Sequence, residues 1–202
     1  MTRLLFLSAI GAASPALAQA RGPRFIRPPE EGYSVTLFGG GATTFQNLNI
    51  AGTEYLSGGP IVGGSLTWQP RSAQSLAIRA DLAWTQHVLH TPRAGDGAKV
   101  DLLYIGPEVV FSFVNTERFS GGLAGGGGGV FIRESATRAS KLHVYEQFGL
   151  DGTYYLSNRF RLNARLSGVI YELSNFPTTS ILGTYHHRQG EGLAELGVAM
   201  KL

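Results

Sequence analysis

The sequence predicts an all-β fold, an eight-stranded antiparallel up-and-down transmembrane β-barrel with a polar, side-chain-filled interior. Three observations carry that reading. Eight segments alternate apolar and polar residues with period two, the connections between them alternate in length, and the composition is poor in charge and rich in glycine. Charged residues are 15% of the 202, where a soluble domain carries about 25%. Glycine, at 28 residues, is about twice its usual share of ~7%.

The alternation is plainest in "RFRLNARLSGVIYEL", Arg159 to Leu173. Phe160, Leu162, Ala164, Leu166, Gly168 and Ile170 share one face, and Arg161, Asn163, Arg165 and Ser167 share the other. A helix would wrap the apolar residues around its cylinder instead of gathering them into a stripe. The same reading gives strands at 33–45, 58–69, 75–88, 99–114, 119–133, 142–157, 159–172 and 192–202. These lengths bracket the ~9–11 residues that a tilted strand needs to cross a bilayer.

The connections 70–74, 115–118 and 157–158 are short, whereas 46–57, 89–98, 134–141 and 173–191 are long. In an up-and-down barrel every short turn and both termini then fall on one side. Ahead of the first strand, "MTRLLFLSAIGAASPALAQA" combines a basic start at Arg3, an apolar stretch and small residues at Ala16, Ala18 and Ala20. That order predicts a secretory signal peptide over 1–20, cleaved after Ala18 or Ala20 and too short to anchor. Residues 21–32 read as a Pro-rich periplasmic leader and 33–202 as the barrel. The chain has no cysteine, which excludes disulfide staples, thiol nucleophiles and cysteine metal ligands. A formal charge of +3 gives no sign of a nucleic-acid partner.

Alternation alone does not orient a sheet. The polar face collects Arg79, Arg161, Arg165 and Lys201 against Asp81, Glu108, Asp151 and Glu195. A solvent-facing surface would be more charged and scattered, and an arginine on the lipid face near the bilayer midplane costs about 2–4 kcal/mol. These eight residues are therefore expected to form a charge network in the lumen. An eight-stranded barrel is just wide enough for its side chains to fill, so no open pore is expected. Tyr33, Trp68, Phe113, Phe119, Tyr154 and Phe160 fall near the short-turn rim, and Phe45, Trp84, Phe131 and Phe148 towards the loops, the distribution of aromatic girdles.

In signal peptide, strand count, loop alternation and the final strand "GLAELGVAMKL", the chain resembles the small eight-stranded outer-membrane β-barrels, the OmpA/OmpX-like, porin-like family of Gram-negative bacteria. The resemblance covers 33–202 and is architectural. It implies an outer-membrane, cell-surface protein with periplasmic short turns, in contact with outer-membrane lipid and lipopolysaccharide. It also implies recognition of the last strand by the barrel-assembly machinery, although the family usually ends in an aromatic and this chain ends in Leu202. The long loops are the expected contact surface for a ligand or partner protein.

Two motifs invite sharper readings. "GGLAGGGGGVFIR" lacks the Gly-Lys-Ser/Thr of a phosphate loop. It reads as a strand that makes room for bulky neighbours, or as a smooth strip for a lipid chain or partner barrel. Ser174-Asn175 with His186, His187 and Glu191 has the parts of an acyl-transfer site. Barrel lipid A deacylases place a histidine two residues before the serine, and Glu172 stands there in this chain. A lipid-modifying enzyme and a narrow channel or transporter are thus alternatives; no catalytic, cofactor or metal residue is expected.

Overall fold

The computed structural model describes residues 31–45, 48, 54–71, 73, 75–92, 96–174, 176, 182 and 187–202. The expected signal peptide 1–20 and most of the expected leader lie outside the described residues, as do parts of 46–57, 89–98 and 173–191. The strands are β1 (Gly32–Thr44), the two-residue β2 (Tyr55–Leu56), β3 (Gly59–Gln69), β4 (Leu76–His90), β5 (Lys99–Asn115), β6 (Phe119–Glu134), β7 (Ser140–Tyr155), β8 (Phe160–Leu173) and β9 (His187–Lys201). The eight long strands pair antiparallel with their chain neighbours, and β1 closes on β9. The short β2 extends the loop end of β4, with Tyr55 opposite His90.

Closure requires stagger. From Ser34 the ladder passes through Thr67, Arg79, Glu108, Gly126, Gln147, Val169 and Glu191, and returns to β1 at Thr44, ten residues beyond its start. A barrel staggered in this way tilts its strands by roughly 35–45°. The strands fall where the alternation puts them, except that β9 begins at His187 instead of 192. Gly190 and Gly192 face outward beside Phe45, so their lack of side chains hides the alternation that Gln189 and Glu191 continue on the inner face.

The two faces are sorted as expected. Leu37, Val144, Leu166 and Leu196 are exposed on the outer wall, whereas Ser34, Thr36, Arg79, Asp81, Glu108, Arg165 and Glu195 are buried inside. Around the short-turn end Tyr33 opposes Trp68 and Phe119 opposes Tyr154, each exposed. Phe45, Phe131 and Phe148 are exposed towards the loops, and Trp84 there is half-buried.

The interior is layered, which modifies the expectation of a polar filling. Small polar groups occupy the short-turn end and charges the middle. The loop end is mainly apolar, with Glu54 and Glu134 buried beside it: Leu56, Leu89, Val100, Leu102, Ile132 and Leu173 pack with Leu48, Phe176 and Leu182 from the loops into one buried cluster. Leu48, Phe176 and Leu182 cover the apolar surface that these strand ends offer on their inner face, and such burial contributes about 25 cal/mol per Å² removed from water.

Candidate functional site

The middle of the lumen holds the candidate site. On β4, alternate positions point Arg79 and Asp81 inward; β5 supplies Glu108, β7 Asp151, β8 Arg165 and β9 Glu195. Arg79 Nε donates to Glu108 Oε2 at 2.9 Å, and Arg79 Nη1 donates to Asp151 Oδ2 at 2.6 Å. Arg165 Nε and Nη2 both donate to Glu195 Oε2, at 2.8 and 2.6 Å. Its Nη1 reaches across to Asp81 Oδ2 at 2.7 Å and Glu108 Oε2 at 2.9 Å. Glu108 thus accepts from both guanidinium groups and joins the halves of the network.

Cross-strand register explains part of this geometry. Arg79 lies directly opposite Glu108, and Arg165 lies between Asp151 and Glu195. Asp81 meets Arg165 only across the lumen. A fixed fork of donors suits one arginine to several carboxylates at once. The expected eight residues do not all enter these contacts. Arg161 stacks its guanidinium over Tyr155, 5.2 Å from the ring centre, and Lys201 is half-buried at the end of β9. The balance of four against four becomes two arginines among four carboxylates. Parity finds the face of a residue but not its height, and Arg161 and Lys201 lie further towards the short-turn end.

Asp81 Oδ1, Glu108 Oε1 and Glu195 Oε1 are buried without a hydrogen-bond partner among the described protein groups. Small cavities of about 20 and 50 Å³ flank it, each with room for water, which needs roughly 10–15 Å³. Phe38 closes one side, with Arg165 over its ring at 5.5 Å.

Beside Glu108, β6 runs close against β5. A Cβ on Gly126 would meet the Pro107 carbonyl oxygen and stand 2.7 Å from Glu108 Cα. The inward glycines Gly122, Gly126 and Gly128 thus let the β5 backbone approach closely, one of the uses of glycine in a strand. Gly126→Ala should destabilise the barrel by about 1–3 kcal/mol through overpacking. Gly125→Ala faces outward, its nearest neighbour being the Gln147 carbonyl oxygen at 3.8 Å, and should be close to neutral. Thermal unfolding of both variants in detergent checks the contrast.

A second polar layer, which sequence reading missed, lies above the charges. Glu191 is fully buried and accepts from Tyr171 Oη at 2.6 Å and Tyr104 Oη at 2.8 Å. His87 Nε2 is 3.3 Å from Glu191 Oε1, and its Nδ1 is 2.6 Å from the Ser57 carbonyl oxygen. Tyr145 packs edge-on against Tyr104 at 5.3 Å. The signal was available: Arg79 and Asp81 set a parity that places His87 inside, and Glu195 does the same for Glu191. This use of Glu191 takes it away from the acyl-transfer reading. Ser174 is buried just beyond the end of β8, while Asn175, His186 and the side chain of His187 lie outside the described residues. Among the described residues no three metal-binding side chains converge.

No family model matches the sequence, and no curated protein does. Solved structures do. The crystal structure of Neisserial surface protein A has a TM-score of 0.58 at 12% identity, over 85% of this chain and 98% of that one. The outer membrane protein OprG from Pseudomonas aeruginosa gives 0.52 at 15%, over 88% and 99%. A major outer membrane protein from Thermus thermophilus gives 0.53 at 10%, over 84% and 99%. At such identities the likeness is one of fold. The chain is a closed, eight-stranded antiparallel barrel of the architecture found among small outer-membrane proteins.

Proposed function

We propose that the protein is an integral outer-membrane β-barrel with a structural or surface-contact role and no open pore. The observation that carries this reading is the pairing of an apolar outer wall, bounded by exposed aromatics, with a lumen filled across its section by the Arg79 and Arg165 network and capped by apolar loop residues. An apolar wall of this extent has no favourable place in water, and a layer of paired charges across the lumen supports a closed interior. The arrangement supports the outer-membrane lipid, lipopolysaccharide and assembly-machinery partners that the resemblance implies, with the loops as the contact surface.

Single-channel recording on the refolded chain should give no stable conductance; a steady unit conductance would instead support the channel reading. Tags in the loop between β8 and β9, at 177–184, should be reachable on intact cells and tags in turn 115–118 should not, because an up-and-down barrel separates them. We assign no enzymatic role, and Ser174→Ala should leave lipid A acylation unchanged.

A further inference from the structure

We propose that the loop-side rim of β5, β6 and β7 docks the phosphate-bearing headgroup of a lipid from the surrounding leaflet, one of whose chains lies on the glycine strip below. The inference rests on the membrane placement proposed above and deepens it by locating the lipid.

The rim is basic. Lys99 opens β5, Arg133 lies near the end of β6 and Arg138 sits in the following turn; all three are exposed. Register draws them together, since Arg133 opposes Ser140 at the start of β7 and Ser135 N donates to the Lys99 carbonyl at 2.9 Å, whereas Lys141, opposite the buried Ile132, belongs to the inner face. Of the nearby carboxylates one is turned away and one shares the face. Glu134 points into the barrel and is fully buried. Asp101, opposite Arg133, accepts from Gln86 Nε2 at 2.8 Å and leaves the three cations in excess. Among the described residues none of the three forms an ion pair. Arg138 moreover has φ 57°, a left-handed conformation that glycine or asparagine adopts more readily. A cation is thus held out on the turn at a position that its backbone does not favour. An unbalanced basic cluster just above an apolar wall complements lipid phosphates.

Directly below, Gly125, Gly127 and Gly129 face outward between the exposed Leu123 and Phe131. Across this bare strand β5 and β7 stand about 9.6 Å apart, which leaves a shallow groove at Gly125 and Gly127 for a hydrocarbon chain, while Leu142 leans over Gly129. Glu146 faces outward beside Gly127, and among the described residues it has no partner. A carboxylate on the lipid face calls for a partner, and hydroxyl or amide N–H groups where a lipid's chains join its headgroup supply donors.

The test uses the full chain refolded in detergent. The probes are lipid A, dephosphorylated lipid A and inorganic phosphate, and binding is read by native mass spectrometry. The combined variant Lys99→Gln, Arg133→Gln and Arg138→Gln should weaken lipid A binding by at least about tenfold. Removing the lipid's phosphates should weaken wild-type binding as much and leave the variant unaffected. Arg188→Gln, exposed on β9 away from this rim, should bind as wild type. Gly125→Leu should weaken binding of both lipids by obstructing the groove. Equal binding by wild type and the combined variant would overturn the proposal, as would displacement of lipid A by millimolar inorganic phosphate or an equal loss in Arg188→Gln. A chain that fails to insert into bilayers overturns the membrane reading itself. Insertion with phosphate-independent lipid binding overturns only the docking site.

Discussion

Arg165→Leu should destabilise the folded barrel by about 3–5 kcal/mol, the usual cost of removing one partner from a buried ionic network. The variant leaves Asp81, Glu108 and Glu195 facing one another, and their buried second oxygens already have no donor among the described protein groups. Leucine fills much of the volume, so the cost is electrostatic. Arg165→Lys should recover only part of it, because an ammonium lacks the fork that reaches three carboxylates. Arg161→Leu should cost less, since its guanidinium sits over the Tyr155 ring outside the shared contacts. Urea unfolding in detergent measures all three; an Arg165→Leu midpoint equal to wild type would contradict the network's role.

Leu166→Arg, one residue along the same strand, should cost about 2–4 kcal/mol for the opposite reason. Leu166 is exposed on the outer wall between Leu150 and Ala194, well inside the stretch from Phe160 to Ile170. Near the midplane, lipid offers the guanidinium neither water nor a counter-ion. Leu166→Ala only loses apolar contact and should be milder. Folding into bilayers of defined thickness separates the two, and tolerance of Leu166→Arg would mean that this face meets water.

These paired variants also mark what is legible in the sequence. Where polar and apolar residues alternate, as in Arg161 to Ile170, parity alone sorts the faces and turns the arginines inward. It gives no contrast at the loop end. There Val100 and Leu102 face inward while Leu103 and Ile105 face outward, so both faces look alike and the apolar cap leaves no pattern to read. Partners are equally hidden: Arg165 and Asp81 meet across the lumen from 84 positions apart, a contact fixed by barrel stagger that no local pattern records. Glu191 escapes for a related reason, since it falls in a stretch that reads as loop, and its partner His87 stands one residue from the end of its predicted strand.

The most direct test of the account is the fractionation of cells expressing the full chain, followed by alkaline extraction of the membranes. A barrel with its apolar wall in lipid and its charges inside should sediment with the outer membrane, resist extraction, and enter solution only with detergent. Recovery in the periplasmic fraction, soluble without detergent, would contradict it and show that the apolar wall is covered by something other than lipid.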